Sequence, residues 1–392
     1  MRSLPRRLSL PTILIVPFVV QVVTAVSLVG YLSFVNGQKG VNNLATQLRQ
    51  ELAIRIKNEL GTYLQTPEQF NEINAIALRE GQIDFDKGRA LPSLYQQLKM
   101  SNYIYGLYCG SRQGEMFGSF RVNQQEFGTS LASAATNQEL HLFNIDSQGQ
   151  RGAFTRSAGK YDPRQRPWYK TAVEVSRPTW GEVYFDFDTK LPALTASQPV
   201  YSATKELVGV CGVDLLLSEQ FQQFLADLQI GKTGIAFIMT RKGELVASST
   251  KTPIMTGEGK DAKLIPAQDS KSPLIQATAA YLQTQTGGLG AINQLQQLNF
   301  PFQQQQQLLA AMPFTNPGGL DWVIVVVVPE QDFMGEINAN NRTTILLCIL
   351  ALGVAIALGI FTSRWIVGLI LKLRNASQEI TAGNLEQTVN IS

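Results

Sequence analysis

Two apolar stretches without charge frame the chain. From Pro11 to Val35 (PTILIVPFVVQVVTAVSLVGYLSFV) there is no Asp, Glu, Lys or Arg. As a helix rising 1.5 Å per residue this run reaches about 38 Å, beyond the roughly 30 Å of a bilayer's hydrocarbon core. A second run, Thr343 to Ser363 (TTILLCILALGVAIALGIFTS), has about the 20 residues one crossing needs. Both read as transmembrane helices, at 11–35 and 343–363. A cleaved signal peptide is the alternative for the first, since Ala25 and Ser27 are small, but the run exceeds the ~7–15 residues of a secretory apolar region. Arg2, Arg6 and Arg7 precede the first run, and Arg364, Lys372 and Arg374 follow the second. The positive-inside rule therefore predicts a two-pass protein of the inner or cell membrane, with both termini cytoplasmic and Asn36 to Arg342 periplasmic or extracellular.

That outer segment opens with Val41, Leu44, Leu48, Leu52, Ile56 and Leu60 at spacings of three or four, with charges between them. The period predicts a long helix over 36–65. It either packs on its own domain or pairs with a second subunit, and the pairing points to a homodimer. Short β-rich runs with glycine turns follow, Tyr103 to Arg121 and Leu140 to Gln150, then LVGVCGVDLLL (Leu207 to Leu217) as a strand and Ser218 to Gln229 as a connecting helix. The pattern restarts with Thr233 to Ser248 as strand, turn and strand, and closes on DWVIVVVVP (Asp321 to Pro329) as a buried strand. The fold class is α+β, with lobes at 66–217 and 218–332 between the two spans. The glutamine-rich stretch from Asn293 to Gln307 reads as a surface loop or helix edge without a specific role.

Composition narrows the chemistry. Lys and Arg number 33 against 30 Asp and Glu, a net +3 that gives no basis for nucleic-acid binding. One histidine, His141, cannot build a multi-histidine metal site, and three scattered cysteines form no CxxC pair. No GxSxG or HExxH motif occurs, so an exported hydrolase is disfavoured. No enzyme activity, cofactor or metal is expected of these residues. Cys109 and Cys211 have an oxidising exterior in which to pair, but whether they meet is not legible from sequence.

The densest unusual segment is YDPRQRPWY, Tyr161 to Tyr169. Its prolines restrict φ and push the preceding residues toward extended backbone, so the segment is expected to be neither a regular helix nor a central strand. Arg166 can offer a two-pronged guanidinium to a carboxylate, the Trp168 indole N–H a further bond, and Tyr161 and Tyr169 aromatic walls. Asp214 lies between Val213 and Leu215, where a carboxylate is costly unless it meets a cation or several donors. Tyr184, in GEVYFDF, can stand beside it. A guanidinium and a carboxylate at opposite ends of an aromatic slot match a free α-amino acid. A packed proline corner, with Asp214 paired to an arginine such as Arg164, is the structural alternative.

These segments (YDPRQRPWY, WGEVYFD, GVCGVDLLL and GKTGIAFIMTRKGEL) resemble the double Cache sensor domain of bacterial transmembrane receptors over most of Asn36 to Arg342. The resemblance implies a long N-terminal helix, two tandem PAS-like lobes and a small-molecule pocket in the membrane-distal lobe. The set Tyr161, Arg166, Trp168, Tyr169, Tyr184 and Asp214 is similar to that of the amino-acid-recognising subgroup. By that likeness Arg166 and Trp168 hold the ligand carboxylate, and Tyr184 and Asp214 its amine. A different carboxylate or amine ligand, or a scaffold that binds a partner protein, is the competing expectation. Leu369, Leu373, Ala376, Ile380 and Gly383 keep a 4-3-4-3 spacing similar to the first helix of a HAMP relay, although Leu369 stands where that family carries proline. A truncated receptor is expected, its histidine kinase, cyclase or chemotaxis output lying beyond Ser392.

Overall fold

The computed structural model describes residues 10–83, 85, 90–217, 219–257, 263–285 and 287–381. The chain divides into two compact units, Met1–Ala45 with Phe333–Ser392, and Thr46–Asp332. In the first unit the described residues are helical, and the outward side chains are apolar: Val29 is 65% and Leu350 64% exposed. A surface of that kind has no place in water, and both helices are long and apolar enough to cross a membrane. The C-terminal helix runs without a break over Gln331–Thr381. It includes Leu369, Leu373, Ala376 and Ile380; Gly383 lies outside the described residues.

The helix expected over 36–65 is part of a single helix α1, Leu10–Arg79. Its apolar period simply continues. Leu64, Phe70, Ala75 and Leu78 are buried, so the last four turns have the same reason to be helical as the turns before them. From Thr46 onward α1 serves both lobes of the second unit. An Arg49 N–H donates to the Leu309 carbonyl (3.2 Å), and Asn71 Nδ2 to the Ala196 carbonyl (2.5 Å).

The first lobe adds helix α2, Leu91–Met100, and an antiparallel nine-stranded sheet. Its strands are β1 Ile104–Ser111, β2 Met116–Arg121, β3 Phe127–Ala132, β4 Glu139–Ile145, β5 Arg151–Lys160, β6 Thr179–Trp180, β7 Tyr184–Phe185, β8 Pro192–Tyr201 and β9 Leu207–Leu216. They lie in the order β5-β4-β3-β2-β1-β9-β8-β6, with β7 also on β8. Helix α3, Pro167–Val175, connects β5 to β6. The YDPRQRPWY segment is therefore helical in its last third. Pro167 occupies the first turn of α3, where a missing N–H costs nothing and the fixed φ suits the helix.

Helix α4, Glu219–Ala226, leads into the second lobe: β10 Ile235–Thr240, β11 Leu245–Ser248, the short pair β12 Met255–Thr256 and β13 Lys263–Leu264, helix α5 Pro273–Gln285, β14 Gln296–Phe302, β15 Gln305–Thr315 and β16 Asp321–Pro329. The sheet order is β11-β10-β16-β15-β14. All but the first residue of β16 is buried, as an unbroken valine run requires of a strand covered on both faces. The glutamine-rich stretch departs from the loop expected there. Gln296–Phe302 pairs residue for residue with Gln305–Ala311, and Gln303 and Gln304 turn the chain with φ of 48° and 64°. Leu298, Phe300 and Phe302 alternate with the exposed Asn299 and Pro301, the period of an edge strand with one buried side, and composition alone concealed that period.

The two lobes meet along a short seam. The Trp180 N–H donates to the Gly318 carbonyl (2.8 Å), and Arg177 to the Pro317 carbonyl (2.9 Å). Glu68 on α1 accepts from Trp180 Nε1 (2.6 Å) and from Asn316 Nδ2 (3.2 Å).

Candidate functional site

The site starts from a missing carbon. In the β2–β1–β9 register Gly118, Tyr108 and Gly212 lie side by side, so the tyrosine has a glycine on each flank. A Cβ at Gly118 would come 2.5 Å from Tyr108 Cβ, and one at Gly212 2.5 Å from its ring. The phenol thus lies low across the sheet. A Cβ at Gly110 would meet Pro163 at 2.9 Å and Trp168 at 3.1 Å, so the same device lets the α3 corner settle onto β1.

Lying there, the Tyr108 hydroxyl donates to Asp214 Oδ1 at 2.6 Å. Thr195, opposite Asp214 on β8, donates to the same oxygen at 2.5 Å and bonds the Tyr184 hydroxyl at 2.9 Å. Asp214 is 2% exposed, and among the described residues it has no cation within ion-pair distance. Burial, reinforced by the charge of Asp186, pushes its carboxyl up to about 7, while the bonds from Thr195 and Tyr108 and the charge of Arg166 pull the other way. Burial likewise pushes the phenols of Tyr108 and Tyr184 well up, so both stay protonated donors.

Arg166 stands at the N-terminus of α3, held extended by the following proline. Its guanidinium lies over the rings of Phe187 (5.3 Å) and Tyr184 (5.8 Å) and reaches the Phe185 carbonyl at 3.4 Å. It makes no ion pair among the described residues. Arg164, the alternative partner for Asp214, is instead spent on Asp162 (2.8 Å).

Arg166 and Asp214 line one cavity of about 50 Å³, together with Tyr161, Trp168, Tyr184 and Tyr108. Five of the six residues singled out in the sequence meet there. The sixth, Tyr169, packs behind Trp168 at 5.4 Å with its hydroxyl on the Ser111 carbonyl, and does not line the space. The Trp168 N–H points at the Tyr161 hydroxyl, 3.4 Å away. Tyr108 and Thr195 escaped the sequence reading. A tyrosine and a threonine in alternating strands look like ordinary sheet residues, and only the register aims them at Asp214.

A strap from Tyr184 to Leu191 lends Tyr184, Asp186, Phe187 and Asp188 to the cavity lining. Asp186 Oδ1 accepts from the Asp188 and Thr189 amides and from the Thr189 hydroxyl, which holds the turn. Asp188 pairs with Arg156 on β5 at 2.8 Å, so the strap is tied to the far edge of the sheet. Cys109 and Cys211, opposite one another in the β1–β9 register, form a disulfide beside the site. His141 sits near Glu139 (3.7 Å) and against the Phe154 ring, outside the cavity. No cluster of three or more His, Cys, Asp or Glu placed to hold a metal occurs among the described residues.

Known proteins resemble this chain in two ways. The methyl-accepting chemotaxis protein McpC of Bacillus subtilis is 26% identical over 229 residues, which is 58% of this chain and 30% of McpC. McpG of Pseudomonas putida, of the same kind, is 35% identical over 95 residues, 24% of this chain and 14% of its own. The chain thus spans less than a third of either receptor. Among solved structures, the extracellular domain mmHK1S-Z3 superposes with a TM-score of 0.50 at 15% identity, covering 76% of this chain and 98% of that one. The PctB ligand-binding domain of Pseudomonas aeruginosa, solved in complex with L-Arg, gives 0.45 at 18% identity, covering 75% and 98%. The profile of the Cache domain matches residues 38–337. Over that span, which holds both sheets and the cavity, the chain belongs to the Cache-domain family of sensor domains.

Proposed function

We propose that this chain is the sensing part of a transmembrane chemoreceptor that binds a free α-amino acid in the first lobe. One observation carries the reading: Arg166 and Asp214 face one cavity and leave each other unpaired. Arg166 takes the ligand carboxylate, with Trp168 and Tyr161 beside it. Asp214, set by Tyr108 and Thr195, takes the ammonium together with Tyr184, and the aromatic walls exclude the water that would weaken both contacts. Tyr169 supports Trp168 from behind.

In this reading the first lobe (66–217) is membrane-distal and the second (218–332) membrane-proximal. Both chain ends lie in the cytoplasm, the receptor works as a homodimer, and ligand biases a two-state equilibrium that the C-terminal helix carries through the membrane to a HAMP-like relay and a signalling output. The test is thermal unfolding of the full chain in nanodiscs against the twenty amino acids. At a hundredfold excess over Kd, stabilisation is about 2.7 kcal/mol. Arg166→Ala and Asp214→Ala should each abolish the shift while leaving a cooperative transition; a shift that survives both overturns the reading.

One observation favours a second reading. Asp186 and Asp214 line the cavity against Arg166, with Asp188 beside them already paired to Arg156. An amine without a carboxylate would suit that balance, and its stabilising effect would survive Arg166→Ala but not Asp214→Ala.

A further inference from the structure

Helix α5 precedes the outer strand β14 as α3 precedes β6, and the sheets match in order, β11-β10-β16-β15-β14 against β2-β1-β9-β8-β6. In the first lobe the cavity lies at the start of α3, where Arg166 and Trp168 stand. The second lobe has a cavity at the corresponding place, the start of α5, lined there by Ser272, Pro273 and Leu274. Its other side is built by the glutamine run. Gln303, Gln305 and Gln307 line the cavity while Gln304 and Gln306 do not, the alternation of a chain with one face turned to it. Phe302 and Pro329 add apolar wall.

Gln307 is the unusual member. It is 2% exposed, set between Phe300 on β14 and Pro329 on β16, and proline has no N–H to offer it. Its Oε1 has no donor, and its Nε2 makes no bond among the described residues. Elsewhere the fold treats buried amides differently. Asn74 and Gln97, 4% and 7% exposed, bond each other twice, Nδ2 to Oε1 at 3.0 Å and Nε2 to Oδ1 at 2.9 Å. An amide buried with both halves unbonded works against the folded state, so Gln307 calls for a partner from outside the chain.

The surroundings restrict the chemistry of that partner. Among the described residues no charged side chain lines this cavity, whereas the first-lobe cavity has Arg166, Asp186 and Asp214. An ion would lose water here without meeting a counter-charge. A neutral group with a donor and an acceptor side by side answers both halves of the amide, as Asn74 answers Gln97.

We propose that this cavity is a second ligand site, for a small neutral molecule that presents an N–H and a C=O side by side: a carboxamide, a lactam or a pyrimidine edge. Gln307 takes that edge, and Phe302 and the prolines hold the body behind it. Thr233, also in the lining, donates through its amide (2.7 Å) and hydroxyl (3.0 Å) to Asp332 in the first turn of the C-terminal helix, so the site adjoins the start of that helix. It does not rest on the amino-acid reading of the first lobe.

The test is calorimetric titration of the full chain in nanodiscs with nicotinamide, 2-pyrrolidinone, uracil and nicotinate. The neutral probes should bind, and nicotinate, with a carboxylate in place of the amide, should bind at least about tenfold more weakly than nicotinamide. Gln307→Leu keeps the bulk and removes the amide. It should weaken the neutral probes by at least about tenfold and raise the thermal midpoint of the unliganded chain by about 2–4 °C. If that variant lacks a cooperative transition, Gln307→Met supplies the same comparison. Asp214→Ala, in the other lobe, should leave these affinities within about threefold. Nicotinate bound as tightly as nicotinamide overturns the neutral class. Nicotinamide affinity unmoved by Gln307→Leu overturns the site, and its loss in Asp214→Ala assigns the binding to the first lobe instead. Silence toward all four probes also overturns the site and leaves ordered water as the partner of Gln307. The amino-acid reading is judged by its own titration, so either can fail alone.

Discussion

Asp214 works at a cost. Its carboxyl is raised to about 7, chiefly by burial, so between about pH 4 and pH 7 the folded protein holds a proton that the unfolded chain releases. Its contribution to stability is therefore greatest at low pH and is lost as pH climbs through 7. Ligand binding runs the opposite way, because an ammonium needs the ionised form. The unliganded chain should lose thermal stability from pH 5.5 to 8 through this group while ligand affinity rises, about tenfold from pH 6 to 8. Titration calorimetry across that range checks it, and a flat affinity profile argues against ionised Asp214 as the amine's partner. Tyr108→Phe removes one of the two donors to Oδ1 and should weaken binding by about 1–3 kcal/mol without unfolding the lobe. Asp214 stood out in the sequence as a carboxylate in an apolar run. Tyr108 and Thr195 carried no such mark, since what makes them special is a register between strands distant along the chain.

At the scale of elements, sequence periodicity located what has a strong period of its own. The two apolar helices, the amphipathic run of α1 and the valine strand β16 were legible because burial on one or all sides leaves a local signature. Besides the glutamine-rich hairpin, three features were not. The end of α1 lay under a change of expected domain rather than a change of pattern. The start of α3 at Pro167 was hidden because proline reads as a breaker until its position in the first turn is known. Pairing of Cys109 with Cys211 depends on β1 and β9 lying side by side, which no local pattern encodes. The glycines that flank Tyr108 give this scale its prediction. Gly212→Ala brings a Cβ to within 2.5 Å of the Tyr108 ring and should cost about 1–3 kcal/mol in chemical denaturation, with a larger proportional loss of ligand affinity because Tyr108 must lift from the sheet. Unchanged stability and affinity would mean that the ring is free to move.

Across the whole Thr46–Asp332 unit, covalent and non-covalent ties hold the parts in place. The Cys109–Cys211 bond joins residues 102 apart in sequence, and Cys109→Ser with Cys211→Ser should lower stability by about 2–5 kcal/mol in thermal unfolding under oxidising conditions. The same loss on simply adding reductant to the wild type would attribute it to the bond rather than to repacking. Helix α1 is the other tie: at 1.5 Å per residue, Arg49 on one sheet and Asn71 on the other stand about 33 Å apart on one continuous rod. Between them, Glu68 receives the Trp180 indole from one lobe and the Asn316 amide from the other. A single carboxylate shared by two claimants works like the fulcrum of a balance. Because that carboxylate belongs to the rod, both lobes are fastened to the same turn of α1.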